Sequence, residues 1–197
     1  MPTISKIQSF GLPLGSVVQT LPFSEITAES YASTDSATPK TIISGTITPT
    51  NASHKILLFG FISISGRYSV YNGMYDYTGV RLKRGSTVIG EPTSNASLTT
   101  LFGADASGAR MLHSVALDSG GYNASRPNSI PFHFMDSPNT TSATTYNVQG
   151  LLEHSSSTTM TRNAGGYNYN NDELANATCQ LTLMEIVAWC QNQKQNY

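Results

Sequence analysis

FMDSPNTTSATTYNVQG, residues 134–150, holds no catalytic signature, yet the segments that flank and enter it decide the fold class. On the way in, Ile130, Phe132 and Phe134 alternate with Pro131, His133 and Met135. On the way out, Tyr146, Val148, Gly150 and Leu152 alternate with Asn147, Gln149 and Leu151. A period of two is what a half-buried strand needs, because successive side chains point to opposite faces. Between the two runs, Asp136-Ser137-Pro138-Asn139 has turn chemistry: proline fixes its own φ, and Asp and Asn bond their own backbone. The segment therefore predicts a β-hairpin.

The same period recurs outward from it. Val17 to Phe23 reads as a first strand broken by Pro22, and Ile43, Gly45 and Ile47 share a face in TIISGTIT. In HKILLFGFISISG, Ile56, Leu58, Ile62 and Ile64 fall on one face and Leu57, Phe59 and Phe61 on the other, which predicts a central strand covered on both sides. VRLKRGSTVIG has the form of a tight hairpin about Arg84-Gly85-Ser86. ARMLHSVALD gives another strand, and CQLTLMEIVAW closes the set with Cys179, Leu181, Leu183 and Val187 on one face. About eight or nine short strands, separated by Gly, Pro, Asn and Ser clusters and without a helical pattern, predict an antiparallel β-sandwich of jelly-roll type. Residues 1–16 form an extended N-terminal arm, punctuated by Pro2, Gly11, Pro13 and Gly15 but too apolar at Ile4, Ile7, Phe10, Leu12 and Leu14 for a free tail. Residues 17–189 make one sandwich domain, and 190–197 a polar C-terminal tail.

Composition narrows the function. Of 197 residues only 12% are charged, against about 25% in an average soluble domain. Ser, Thr and Asn take their place, a surface suited to packed protein contacts or to uncharged polar ligands such as glycans. Eleven Lys and Arg against twelve Asp and Glu leave a net charge of −1. No basic stripe exists to neutralise a phosphate backbone, so nucleic acid is not an expected partner. No run reaches the roughly 18 apolar residues of a membrane span, and the N-terminus lacks the apolar core of a secretory signal. Neither membrane insertion nor secretion is expected.

Chemistry-bearing motifs are missing. His54, His113, His133 and His154 show no zinc spacing, there is no calcium loop, and no GxSxG or cysteine-protease context surrounds a nucleophile. Cys179 and Cys190 form no CxxC and read as free thiols. Asp105, Asp118, Asp136 and Asp172 sit in turn-like surroundings, where aspartate serves the backbone. The expectation is a protein without enzymatic activity, cofactor or metal. Tyrosine is the exception to this blandness. Tyr68, Tyr71, Tyr75 and Tyr77 surround Asn72-Gly73, Tyr122 follows a Gly pair, and Tyr167 and Tyr169 lie in GGYNYNND. Segments rich in Tyr, Asn, Gly and Ser have the chemistry of a recognition surface, since tyrosine covers a large area at little entropic cost. They equally suit a subunit interface, where tyrosine is also enriched.

Several pieces taken in order resemble the small β-sandwich virion structural proteins and fibre-tip domains of tailed bacteriophages of aquatic and cyanobacterial hosts. They are ITPTNASHKILLFGFISISG, LKRGSTVIG, GADASGAR, FMDSPNTTSATTYNVQG and LTLMEI, and the resemblance spans roughly residues 40 to 188. It implies a virion location, a homotrimer in contact with other virion proteins of capsid or tail, and no catalytic residue. The arm and the Tyr-rich segments 66–79 and 163–173 depart from the pattern, so the place in the virion and any host-surface glycan would be encoded there.

Overall fold

The computed structural model describes residues 12–32, 39–68, 76–89, 113–117, 128–153, 158–163 and 177–188. In chain order the strands are β1 (Val17–Glu25), β2 (Glu29–Ala32), β3 (Lys40–Ile47), β4 (Lys55–Tyr68), β5 (Asp76–Arg84) and β6 (Thr87–Ile89). They continue as β7 (His113–Leu117), β8 (Asn128–Asp136), β9 (Thr144–Glu153), β10 (Thr158–Arg162) and β11 (Cys179–Ile186). Every pairing is antiparallel. One sheet sets β1, β11, β4 and β8 side by side, with β2 and β10 extending it along the far half of β4. The other sets β3, β9 and β5 side by side, with β6 and β7 both against β5. From β2 onward the chain crosses from sheet to sheet at β3, β4, β5, β8, β9 and β10, the winding of a jelly roll.

The core lies between the sheets. Ile56, Leu58, Ile62 and Ile64 of β4 meet Val80 and Leu82 of β5 and Tyr146 and Val148 of β9, all essentially inaccessible to solvent. The predicted alternation holds on β11, where Cys179, Leu181 and Leu183 point inward, and on β8, where Ile130 and Phe132 are buried and Pro131, His133 and Met135 exposed. On β3 a register irregularity between Thr41 and Ile43 turns both Ile42 and Ile43 inward. The β5–β6 hairpin forms as expected about Gly85-Ser86, with Gly85 at φ 57, a left-handed value that glycine adopts freely.

Three expectations need correction. The segment 134–150 is not a hairpin: β8 pairs with β4 and β9 pairs with β3 and β5, so residues 137–143 cross from one sheet to the other. Both arrangements show period-two flanks, but a hairpin loop is usually two to five residues. Pro22 does not break β1, which runs from Val17 to Glu25; as an edge strand it tolerates a residue with no N–H. β4 is central but not covered on both sides, because Phe59 on its outer face is 38% exposed. Beside the inward apolar residues of β11 stands a carboxylate, Glu185, that is completely buried.

Candidate interaction surfaces

Glu185 explains how one end of the sandwich is held. A register irregularity between Val17 and Gln19 leaves Val18 and Gln19 both buried. Gln19 Nε2 then donates to Glu185 Oε2 and, at 2.9 Å, to the Thr48 carbonyl. From the β3–β4 connection, Thr50 donates to Glu185 Oε1 through its backbone N–H and its hydroxyl, each at 2.7 Å. His54 Nδ1 lies 2.7 Å from the same oxygen. The connection is itself preformed: Asn51 Oδ1 accepts from the Ser53 N–H and hydroxyl, and its carbonyl from the His54 N–H at 3.1 Å. Burial by itself would raise the Glu185 pKa, but the hydrogen bonds from Thr50, Gln19 and His54 outweigh it and hold the carboxyl below its ordinary value.

A second buried network stands at the same end. Arg84 Nη1 donates to both oxygens of Asp136, at 3.0 and 2.9 Å, and to the Ser137 carbonyl at 3.0 Å. The Tyr146 hydroxyl donates to Asp136 Oδ2 at 2.7 Å. Burial, followed by that hydrogen bond, pushes the Tyr146 phenol above its usual range. Asp136 is thus a buried acceptor, not the turn residue the sequence suggested, and it fixes where β8 ends and the crossing to β9 begins. Replacing Arg84 with Met should cost about 2 kcal/mol, because Asp136 keeps a single side-chain donor in a largely desolvated place. Arg84→Lys should fall between that variant and the native protein in thermal melting.

The third network pins the bend between β1 and β2. Arg162 donates to the Thr27 carbonyl at 3.2 Å and the Ile42 carbonyl at 2.8 Å, and pairs with Glu29 at 2.9 Å. Asn163, at φ 60, donates to the Glu25 carbonyl at 2.7 Å and the Thr27 carbonyl at 3.2 Å. Its Oδ1 accepts from the buried free thiol of Cys179 at 3.0 Å. Burial pushes that thiol's pKa up, as suits a structural cysteine; Cys190 lies outside the described residues. Beside Arg162, an open cleft of about 280 Å³ runs between β1 and β3, lined by Phe23, Glu25, Ile42 and Ser44 among others. Arg162 is already engaged on three sides, so the cleft offers no free cation to an anionic ligand.

The Thr50 hydroxyl donates to Glu185 at 2.7 Å and lies 3.5 Å from His54 Nδ1. Among the described residues, no group of three or more His, Cys, Asp and Glu could hold a metal ion.

The strand ends sort the remaining sequence-predicted residues. Residues 12–16 join the sandwich at the networked end: Pro13 to Ser16 form a turn with Gly15 at φ 81, and Gly15 and Ser16 exchange backbone bonds with Val187 at 3.0 and 2.9 Å. Leu12 is half-buried and Leu14 exposed; Ile4, Ile7 and Phe10 lie outside the described residues. At the opposite end, Tyr68 terminates β4 beside Thr158 of β10, and Tyr77 stands near the start of β5 beside Glu153 of β9. They belong to strands of different sheets. Tyr71, Tyr75, Tyr122, Tyr167 and Tyr169 lie outside the described residues. The connection holding Tyr71 and Tyr75 joins β4 to β5, and the one holding Tyr122 joins β7 to β8; both are anchored at the end away from residues 12–16. The connection holding Tyr167 and Tyr169 leaves β10 at Arg162, which pairs with Ile64 as Asn128 at the start of β8 does. Asn163 and Ala177, at its two ends, are bonded backbone to backbone at 3.2 Å beside Ser63, partway along β4. The three networks escaped sequence reading because their members are scattered; the one local signal was the phase of Glu185 and Asp136, each in step with the inward face of its strand.

No protein-family model matches the sequence, and comparison with curated proteins finds no match. Among solved structures, the chain is similar to one from the infectious bursal disease virus Gx strain, at 15% identity and a TM-score of 0.36, covering 95% of this chain and 43% of that one. It is similar to one from the T13 particle of the same virus, at 16% identity and a TM-score of 0.37, covering 95% and 40%. A VP2 subviral particle of that virus gives 14% identity, a TM-score of 0.38 and coverage of 95% and 42%. This chain spans less than half the length of these viral chains.

Proposed function

We propose that the chain is a non-enzymatic structural component of a virus particle: a head decoration or tail and fibre protein of a tailed bacteriophage, displayed as a homotrimer and anchored by its N-terminal arm. The observation that carries this reading is the division of labour between the two ends of the jelly roll. Buried networks around Glu185 and Asp136 stiffen the end where residues 12–16 join. The opposite end carries the β4–β5, β7–β8 and β9–β10 connections between the sheets. Sandwiches of this winding recur in viral capsid and lectin domains, and the low charge of the chain suits a surface packed against other proteins. Removing residues 1–11, which spares the Pro13–Ser16 turn and the bonds to Val187, should leave folding unchanged and abolish incorporation into particles. Normal incorporation of the truncated chain would refute the anchoring role.

A second role, as a lectin-like module that binds host-surface glycan, is favoured by the anchoring of the Tyr71, Tyr75 and Tyr122 connections at the end away from the arm. A few aromatic anchors dominate such sites, at roughly 2 kcal/mol or more each. Tyr71→Ala with Tyr75→Ala should then lower binding to host cells about 30-fold or more while melting temperature and oligomeric state stay the same. A weakened oligomer would instead assign these tyrosines to a subunit interface.

A further inference from the structure

The two outer faces of the sandwich differ in chemistry. Outside the β3–β9–β5 sheet stand Thr46 and Thr145, hydrogen-bonded to each other at 2.8 Å, together with Asn147, Gln149, Arg81 and Lys83. This face is polar and cationic, as a hydrated face should be. Outside the β1–β11–β4–β8 sheet, three cross-strand rows are almost free of charge. Thr20, Met184, Leu57 and Met135 form one row; Pro22, Thr182, Phe59 and His133 the next; Ser24, Gln180, Phe61 and Pro131 the third. Phe59 is 38% and Met135 45% exposed. The nearest cation, Lys55, lies at the rim with its Nζ on Ser137.

Two long edges of the same sheet, β1 and β8, each carry a proline. Pro22 stands in the middle of β1 and Pro131 in the middle of β8, and neither has an N–H to offer a further strand. β3, at the edge of the other sheet, carries the irregularity at Thr41 to Ile43. At β1 and β8 a second copy finds an interrupted ladder, and beside them it finds the less charged face.

We propose that this face is a twofold contact between two copies of the chain. The rows are self-complementary. A twofold axis parallel to the strands, between β4 and β11, lays β4 of each copy over β11 of the other and β8 over β1. Phe59 then stands over Thr182 and Phe61 over Gln180, the bulky column of one copy filling the lower column of its mate. Met135 falls over Thr20, and His133 over Pro22. Two such faces meet without like-charge repulsion, whereas a charged partner surface would leave its charges desolvated against Phe59 and Met135. Four strands by about five residues give a footprint of roughly 300 Å² in plan. Seven of the twelve positions are apolar, and the whole face falls short of the roughly 800 Å² per partner of a stable complex. The contact is a weak one, strengthened where copies are crowded on a surface.

Sedimentation equilibrium from low-micromolar to near-millimolar concentration tests this. The mass should rise with concentration in the native protein, doubling if the species at low concentration is a monomer and at least doubling if it is a trimer with three such faces, so the trimer proposed above is judged separately from that starting value. Phe59→Lys and Thr182→Lys should each weaken the doubling by at least about tenfold, while Thr46→Lys on the opposite face leaves it unchanged. Thr182→Lys decides the matter if Phe59→Lys fails to fold. A mass independent of concentration, or a doubling that survives both face variants, overturns the proposal, and the face then belongs to another protein or to the chain's own arm.

Discussion

Gly60→Ala should destabilise the fold by more than about 3 kcal/mol, the largest effect expected of any single methyl group in this chain. Gly60 stands opposite Leu181 where β4 pairs with β11. A Cβ there would come within 2.0 Å of the Gln180 carbonyl oxygen and 2.8 Å of its carbon. Those are backbone atoms in the middle of the sheet, so no side-chain rotation relieves the overlap, and β11 would have to leave its register. Leu181 and Leu183 would leave the core with it. Urea unfolding, or the soluble yield of the variant, reads this directly. Gly85→Ala is the matched control: it has open space around it and a left-handed φ, so it should cost only about 1 kcal/mol. A Gly60→Ala protein as stable as the Gly85→Ala one would mean that β4 and β11 do not pair as described.

Loss of the Glu185 carboxylate should be nearly as severe. Glu185→Leu would strand the Thr50 N–H and hydroxyl, the Gln19 amide and the His54 ring in a buried site, at an expected cost of about 3 kcal/mol or more. The same carboxylate ties stability to pH. Its folded pKa lies below the unfolded value, so the ionised group's contribution is fully present above about pH 4.5. It is lost as pH falls through the folded pKa. Glu185→Gln keeps an acceptor oxygen and cannot titrate. It should therefore be less stable than the native protein at neutral pH and lose less stability on acidification. Parallel acid limbs in the two proteins would show that another group governs acid unfolding.

Residue periodicity reveals what each strand buries but not which strand it joins. The inward sets of β4, β8 and β11 were legible because a period of two survives whatever the pairing. The segment 134–150 misled for the same reason. Its flanks alternate whether they pair with each other or enter opposite sheets, and the choice is made by Asp136, whose partners Arg84 and Tyr146 come from β5 and β9. Glu185 was overlooked because a carboxylate in phase with Leu181 and Leu183 looks like a strand end until Gln19, Thr50 and His54 arrive from distant parts of the chain. The pause expected at Pro22 did not occur because, at a sheet edge, a missing N–H leaves no ladder bond unmade.

The central claim, that this jelly roll is a particle component, is tested most directly by electron microscopy of purified particles of the virus whose genome carries this sequence, labelled with antibody against the chain. The account predicts label at regular, symmetry-related positions on the surface of intact particles. Unlabelled particles, with the chain found only in the soluble fraction of infected cells, would contradict it.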